Sequence, residues 1–389
     1  MPILGLSSSG GSKPTTPTIG TATSGDGSAS VPFTISSYVG KGTITYTATS
    51  SPGGLTGTNT TSPITVSGLT NGTAYTFTVV GTTDYGVSSV ASSASNSVTP
   101  ELPNPYPNAR GVWAGGGEFP SSTIDYITIS TTGNSTNFGN LTEARYSVGG
   151  CASTTRGLFG GGYNQYSGGY KSVIDYITVA TTGNATNFGN RTVATTWTSA
   201  LSSQTRGVWG GGGREPMTAV MDYVTIASTG NATNFGNLTV ARWGLAACGS
   251  STRGIFGGGS VYGVSTNNEM DYITIASTGN ATDFGDLTVA RGENGGVSSP
   301  TRAVFLGSDE GTTMDYVTIA TTGNATDFGD YGGASNQTSN ASNQIRGVLS
   351  SLSTLKYITI STTGNATSFG SLTGGRILAH ALSNGHGGL

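Results

Sequence analysis

The chain has 389 residues, of which only 9% are Asp, Glu, Lys or Arg and 64 are Gly. An ordinary soluble domain carries roughly 25% charged residues. With 16 basic and 19 acidic residues and no basic cluster, the sequence offers no electrostatic footprint for a nucleic-acid backbone or an anionic membrane surface, and neither is expected as a partner.

In chain order, the first stretch, MPILGLSSSGGSK (1–13), lacks the basic start and apolar core of a secretory signal. It is too short to fold alone and is read as an anchor segment that orders against a partner. Residues 14–100 alternate Thr or Ser with apolar side chains in the runs SVPFTI (30–35), TITYTATS (43–50), SPITVSGL (62–69) and TAYTFTVVGTT (73–83). Period-two runs bounded by Gly, Pro and Asn-Gly predict half-buried antiparallel strands. The string SGLTNGTAYTFTVVGTTDYGVSS resembles the second half of a fibronectin type III domain, with Tyr75 as the corner tyrosine, Gly86 in the following turn, and Phe33 and Tyr46 in place of the family's early Trp. That resemblance implies a β-sandwich over 14–100 acting as a spacer. Pro at alternate positions in 101–107 predicts an extended, semi-rigid linker.

From residue 108 one phrase recurs. Its Asp-Tyr start stands at Asp125, Asp175, Asp222, Asp271 and Asp315, with Lys356-Tyr357 as the sixth copy, at spacings of 50, 47, 49, 44 and 41. Periods of this size predict propeller blades or arrays. Each copy reads as an apolar strand ending in glycines (RGVWGGG), a variable loop, a strand (DYVTIAS), a turn (TGNAT), a strand (NFGNLTVAR) and a further apolar strand (WGLAACGSS). The pattern resembles the kelch repeat, carried in the third copy by Gly211-Gly212, Tyr223, Phe235 and Arg242. The first copy lacks its leading strand, and GGRILAHALSNGHGGL (374–389) aligns with VARWGLAACGSSTRGI (240–255). The expected fold is therefore all-β: a fibronectin-like sandwich followed by a six-bladed propeller over 108–389, closed by the C-terminal strand, which leaves no open sheet edge.

Residues present in every copy serve the copy, so the repeated Asp and the arginines of the RG and AR pairs are read as structural. The Asn of the GNAT turns is read as turn chemistry, although the motif also matches a glycosylation sequon. Cys151 and Cys248, at equivalent positions of two copies, are expected as buried thiols with no disulfide. Asp283, Asp286, Asp327 and Asp330 form no dense calcium loop, His380 and His386 fit no zinc spacing, and no nucleophile elbow or phosphate-cradling loop stands out. No cofactor, metal or catalytic residue is assigned.

What varies is the loop before each Asp-Tyr, and there Tyr163, Tyr166, Tyr170, Lys171, Arg214, Glu215 and Tyr262 are the candidate binding residues. Polar-tipped aromatic rings suit sugar faces or another protein. Fibronectin-like modules joined to Gly/Thr-rich repeats look like bacteriophage appendage proteins, and that resemblance implies a non-enzymatic virion structural protein, a tail or capsid fibre. It would be incorporated through its first segment and attach to a host surface glycan or protein. A bacterial surface or secreted adhesin is the alternative, and a carbohydrate-active enzyme the third reading.

Overall fold

A computed structural model of the chain describes residues 13–35, 42–100, 104–117, 119–213, 215–263, 266–307, 311–333, 338–373 and 378–389. Residues 1–12 of the anchor segment, Pro103 with its two predecessors in the linker, Arg214 and Arg376 lie outside the described residues. The described residues form strands and turns with no helix, so the protein is all-β. They divide into two compact units, Met1–Pro103 and Asn104–Leu389.

In the smaller unit Ile44–Ser51 pairs with Thr76–Thr83 along its whole length and with Thr56–Asn59 on its other side. A second sheet orders Thr23–Gly25, Ser28–Val31 and Ile64–Ser67. Alternation puts Tyr46, Ala48, Phe77 and Val79 from one sheet against Val31, Ile64 and Val66 from the other, forming one core. The Tyr75 hydroxyl accepts the Thr70 amide at 3.1 Å, and this bond lowers its pKa. Beyond the last strand, Ser89, Ser92 and Ser95 donate backbone amides to Gly81, Val79 and Phe77. Their Oγ atoms accept the amides of the same three residues at 2.9–3.0 Å. A serine at every third position thus supplies both halves of the pairing that a regular strand would make.

The larger unit contains six four-stranded antiparallel sheets among its described residues. Sheet 2 shows the plan: Gly149–Ala152, Arg156–Gly160, Val173–Thr178 and Thr186–Asn190, in chain order from the first strand to the outermost. Sheets 3 to 6 repeat it, starting at Ser199, Ala246, Gly295 and Ser339. Sheet 1 is assembled from both ends of the unit. Its first strand is His380–Ser383, which pairs antiparallel with Arg110–Ala114, followed by Ser121–Thr128 and Thr136–Arg145.

The repeated phrase builds the contacts between sheets. In each GNAT turn the Gly amide donates to the Phe carbonyl of the preceding sheet's outer strand, as Gly279 does to Phe235 at 2.7 Å. The Asn side chain of the turn accepts an amide two residues further along that strand, as Asn280 does from Asn237 at 3.0 Å. The same bonds join sheet 1 back to sheet 6, through Gly133 to Phe369 at 3.0 Å and Asn134 from Ser371 at 3.1 Å. The Gly of NFGN is required by this packing. Gly236 has φ of 149°, and a Cβ there would run into the Gly279 carbonyl. Gly236→Ala should therefore cost more than about 1 kcal/mol in urea unfolding. Gly183→Ala, where a Cβ meets nothing within 4 Å, is the matched control and should cost less.

The first strands stand side by side in the order of the sheets and are stitched by serines. Ser202 Oγ bonds the Ala152 carbonyl at 2.7 Å and Ser298 Oγ the Gly249 carbonyl at 2.8 Å, each reaching the strand of the sheet before it. The last residues run across this end. Asn384 Nδ2 donates to the Thr154 carbonyl at 3.1 Å, Gly385 bridges Asn343, and Gln344 Nε2 donates to the Leu389 carbonyl at 2.9 Å.

Candidate functional site

The repeated ionisable groups are engaged between sheets. Asp175, Asp222, Asp271 and Asp315 are buried and accept from the Thr and Arg that follow the preceding sheet's NFGN segment. Arg145–Asp175 is 3.0 Å, Arg191–Asp222 3.0 Å and Arg242–Asp271 2.9 Å, and Arg291–Asp315 forms the same pair. Burial lowers the pKa of Arg145, Arg242 and Arg291, against the opposing pull of their Asp partners. At the sheet 5–6 junction a cation stands where the other sheets have Asp: Lys356 Nζ donates to the Tyr331 and Gly332 carbonyls at 2.7 and 2.6 Å and lies 4.4 Å from the Tyr331 ring centroid. The other arginines, Arg110, Arg156, Arg206, Arg253, Arg302 and Arg346, stack on the Tyr of the adjoining strand at 4.2–4.5 Å. They also donate to carbonyls of the following sheet. No carboxylate of this set faces an open cleft.

The space between the first strands is narrow. Gly150, Ala200, Ala247, Gly296, Asn340 and Ala381, the second residue of each first strand, line cavities of about 60 and 40 Å³. That room holds a few waters and excludes a sugar, and no Asp, Glu, Lys or Arg lines either space. The two histidines, whose spacing fits no zinc site, both lie here. Burial lowers His380 to about 4. His386 Nε2 sits 2.9 Å from the Ala152 carbonyl and 3.1 Å from Ser202 Oγ, and its Nδ1 accepts the Gly388 amide at 3.0 Å. A carbonyl can only accept, so Nε2 carries the proton and the ring is neutral. Burial lowers the pKa of this histidine as well, while the Ala152 bond opposes the shift. Cys151 and Cys248 are buried free thiols on the first strands of sheets 2 and 4, and burial pushes both up.

Antiparallel order places every loop between second and third strands, together with the connections that enter the first strands, at the end opposite the C-terminal tail. Of the residues singled out there, Tyr163, Tyr166, Tyr170 and Lys171 share one short hairpin of sheet 2, Tyr163–Asn164 with Gly169–Tyr170. Tyr163 and Tyr170 pack on each other with centroids 5.3 Å apart, and Tyr163 packs on Tyr146 at 5.5 Å, so these rings brace the hairpin. Tyr170 Oη reaches the Glu215 carbonyl of the next loop at 3.4 Å. Lys171 Nζ pairs with Glu143 at 3.2 Å. Tyr262, 77% exposed, stands apart on the loop of sheet 4.

The residue that sequence reasoning missed is Phe119, on the loop of sheet 1. It is 64% exposed beside Tyr166, itself 69% exposed, with ring centroids 6.5 Å apart and planes within 25°. A signal for this corner was present. The first copy reads LTEARYS where the third reads LTVARWG, and two of the three departures, Glu143 and Tyr146, are groups that hold the hairpin of sheet 2.

Among the described residues no helix is long and apolar enough to cross a membrane, and no cluster of His, Cys, Asp and Glu is arranged to hold a metal ion. Compared with models of known protein families and with curated protein sequences, the chain matches none.

Proposed function

We propose that the six sheets are the blades of a kelch-like propeller closed by the C-terminal strand, that residues 14–100 form a fibronectin type III-like spacer, and that the protein is a bacteriophage virion component, a tail or capsid fibre. The propeller displays its loop end for attachment to a host surface glycan or protein, and the first segment joins the particle. The observation that carries this reading is the division of labour in the larger unit. What repeats is bonded between sheets, whereas the exposed aromatics sit on loops that differ from copy to copy. Bonds running from sheet 6 back to sheet 1 support the closed propeller, and the Thr70–Tyr75 bond supports the fibronectin-like sandwich. The burial of the repeated carboxylates in ion pairs supports attachment over catalysis.

Mass spectrometry of purified particles should recover this chain at structural copy number, and the labelled full-length protein should bind host cells. Recovery from a bacterial envelope instead of particles would move the protein to the adhesins. Release of reducing ends from host glycan would make it an enzyme.

A further inference from the structure

We infer that Phe119 and Tyr166 form a stacking ledge for an uncharged sugar ring, an inference that deepens the attachment reading and rests on it. Two large rings from loops of different sheets stand more than half exposed, side by side and nearly parallel. Fully burying such a ring is worth about 1.5–3 kcal/mol, so a fold that leaves two adjacent ones in water forgoes stability it had the means to take.

The Tyr166 side of the ledge is also held in place before anything binds. Asn164 is buried, donates from Nδ2 to the Ala144 carbonyl at 2.7 Å and accepts the Tyr166 amide on Oδ1 at 2.8 Å, which fixes the hairpin tip. Tyr146 and Tyr163 exchange backbone bonds at 3.1 and 2.9 Å beneath it. A partner that meets the Tyr166 ring therefore meets little ordering cost there.

Charge and flanking chemistry choose the partner. Among the described residues near the ledge Lys171 pairs with Glu143, Glu143 also meets Arg145 at 3.5 Å, and Arg145 pairs with Asp175, so this linked group sums to zero and by itself attracts neither a polyanion nor a polycation. Beyond Phe119 the chain continues through Ser121, Ser122 and Thr123, with Ser122 Oγ bonded to Asn140 at 3.3 Å, a border of hydroxyl and amide groups. An aromatic face is negative and attracts the C–H face of a pyranose, while such a border suits sugar hydroxyls. A protein partner calls for a broad buried patch of roughly 800 Å² per side, whereas two rings match one or two sugar units.

The test uses the full-length protein and neutral hexose hexamers (malto-, cello- and galacto-oligosaccharides), with hexagalacturonate as the charged probe. Binding is read by saturation-transfer NMR and calorimetry, and host-cell binding is measured in parallel. At least one neutral hexamer should bind in preference to the acidic one. Phe119→Ala/Tyr166→Ala should weaken it at least tenfold, Tyr166→Leu should weaken it although apolar area remains, and Tyr85→Ser, a similarly exposed ring on the smaller unit, should change nothing. Unchanged melting temperatures establish that the variants fold. Equal sugar binding by the double variant, preference for the acidic hexamer, or no binding of any neutral hexamer overturns the ledge. If sugars bind as expected and cells do not, the attachment reading fails and the sugar site stands. If cells bind equally with and without the two rings and sugar binding is likewise unchanged, the ledge fails and attachment stands.

Discussion

A chain ending at Leu378 should lose the cooperative unfolding transition of its larger unit, or show it lowered by at least about 10 °C, corresponding to a loss of more than about 5 kcal/mol. The strand removed, His380–Ser383, pairs residue for residue with Ala114, Trp113, Val112 and Gly111, and Val112 and Trp113 are fully buried. Its loss uncovers an unpaired edge and removes Leu382, whose side chain packs against Gly157 of sheet 2. Calorimetry of the truncated chain beside the full one checks this, and an unchanged transition would show that the strand is dispensable. Removing only residues 384–389 should have a smaller, acid-mimicking effect. His386 holds Ala152 as a donor and Gly388 as an acceptor, so a second proton on Nδ1 would face an N–H. Its folded pKa is lowered from 6.5, so the unfolded chain binds more protons below that value. The stability that this histidine contributes is therefore complete above about pH 6.5 and is lost as pH falls through the lowered folded value. Melts at pH 7 and pH 5 should differ less in His386→Gln than in the parent.

Arg242→Met should be the most damaging single substitution between sheets, at about 3–5 kcal/mol, because it strands Asp271 in the interior without a cation. Asp271 would keep the Thr239 hydroxyl and amide, at 2.6 and 3.2 Å, which cannot neutralise it. Adding Asp271→Asn removes the charge and keeps an acceptor for Thr239, so the double variant should regain most of the loss in urea unfolding. The sheet 5–6 junction, which carries neither member of the pair, is the natural precedent. A cost below about 1 kcal/mol for Arg242→Met would show that the pair contributes little.

The all-β class and the order of strands within each copy were legible because period-two runs between Gly and Asn-Gly turns admit little else, and because RGVW lacked a leading strand that the last residues resembled. The partners of the repeated residues were harder to read. Each Asp bonds to the Arg and Thr of the copy before it, and each GNAT Asn to an amide of the preceding sheet, so the recurrence was visible while the step of one copy back was not. Ser89, Ser92 and Ser95 escaped notice because a period of three belongs to neither strand nor helix patterning. In the candidate site the tyrosines of 163–170 were found as a cluster, yet two of them support the hairpin and only Tyr166 is fully presented. Its neighbour Phe119 comes from a different copy, and no pattern along one copy reveals a side chain supplied by another.

The Lys356 junction has a consequence for assembly. Copies this alike invite a sheet to dock on the wrong neighbour, the characteristic failure of repeat chains. At most junctions any Asp would satisfy any Arg. Lys356 breaks that interchangeability, for seated on the outer strand of sheet 4 its ammonium would confront Arg291, and an Asp-bearing sheet seated against Tyr331 would bury a carboxylate with no cation. Of the six sheets, the one that carries Lys356 fits the seat that Tyr331 and Gly332 provide. The odd junction thereby marks one place in the series: an order that seats another sheet against Tyr331, or the Lys356 sheet elsewhere, carries an electrostatic mismatch that the native order avoids.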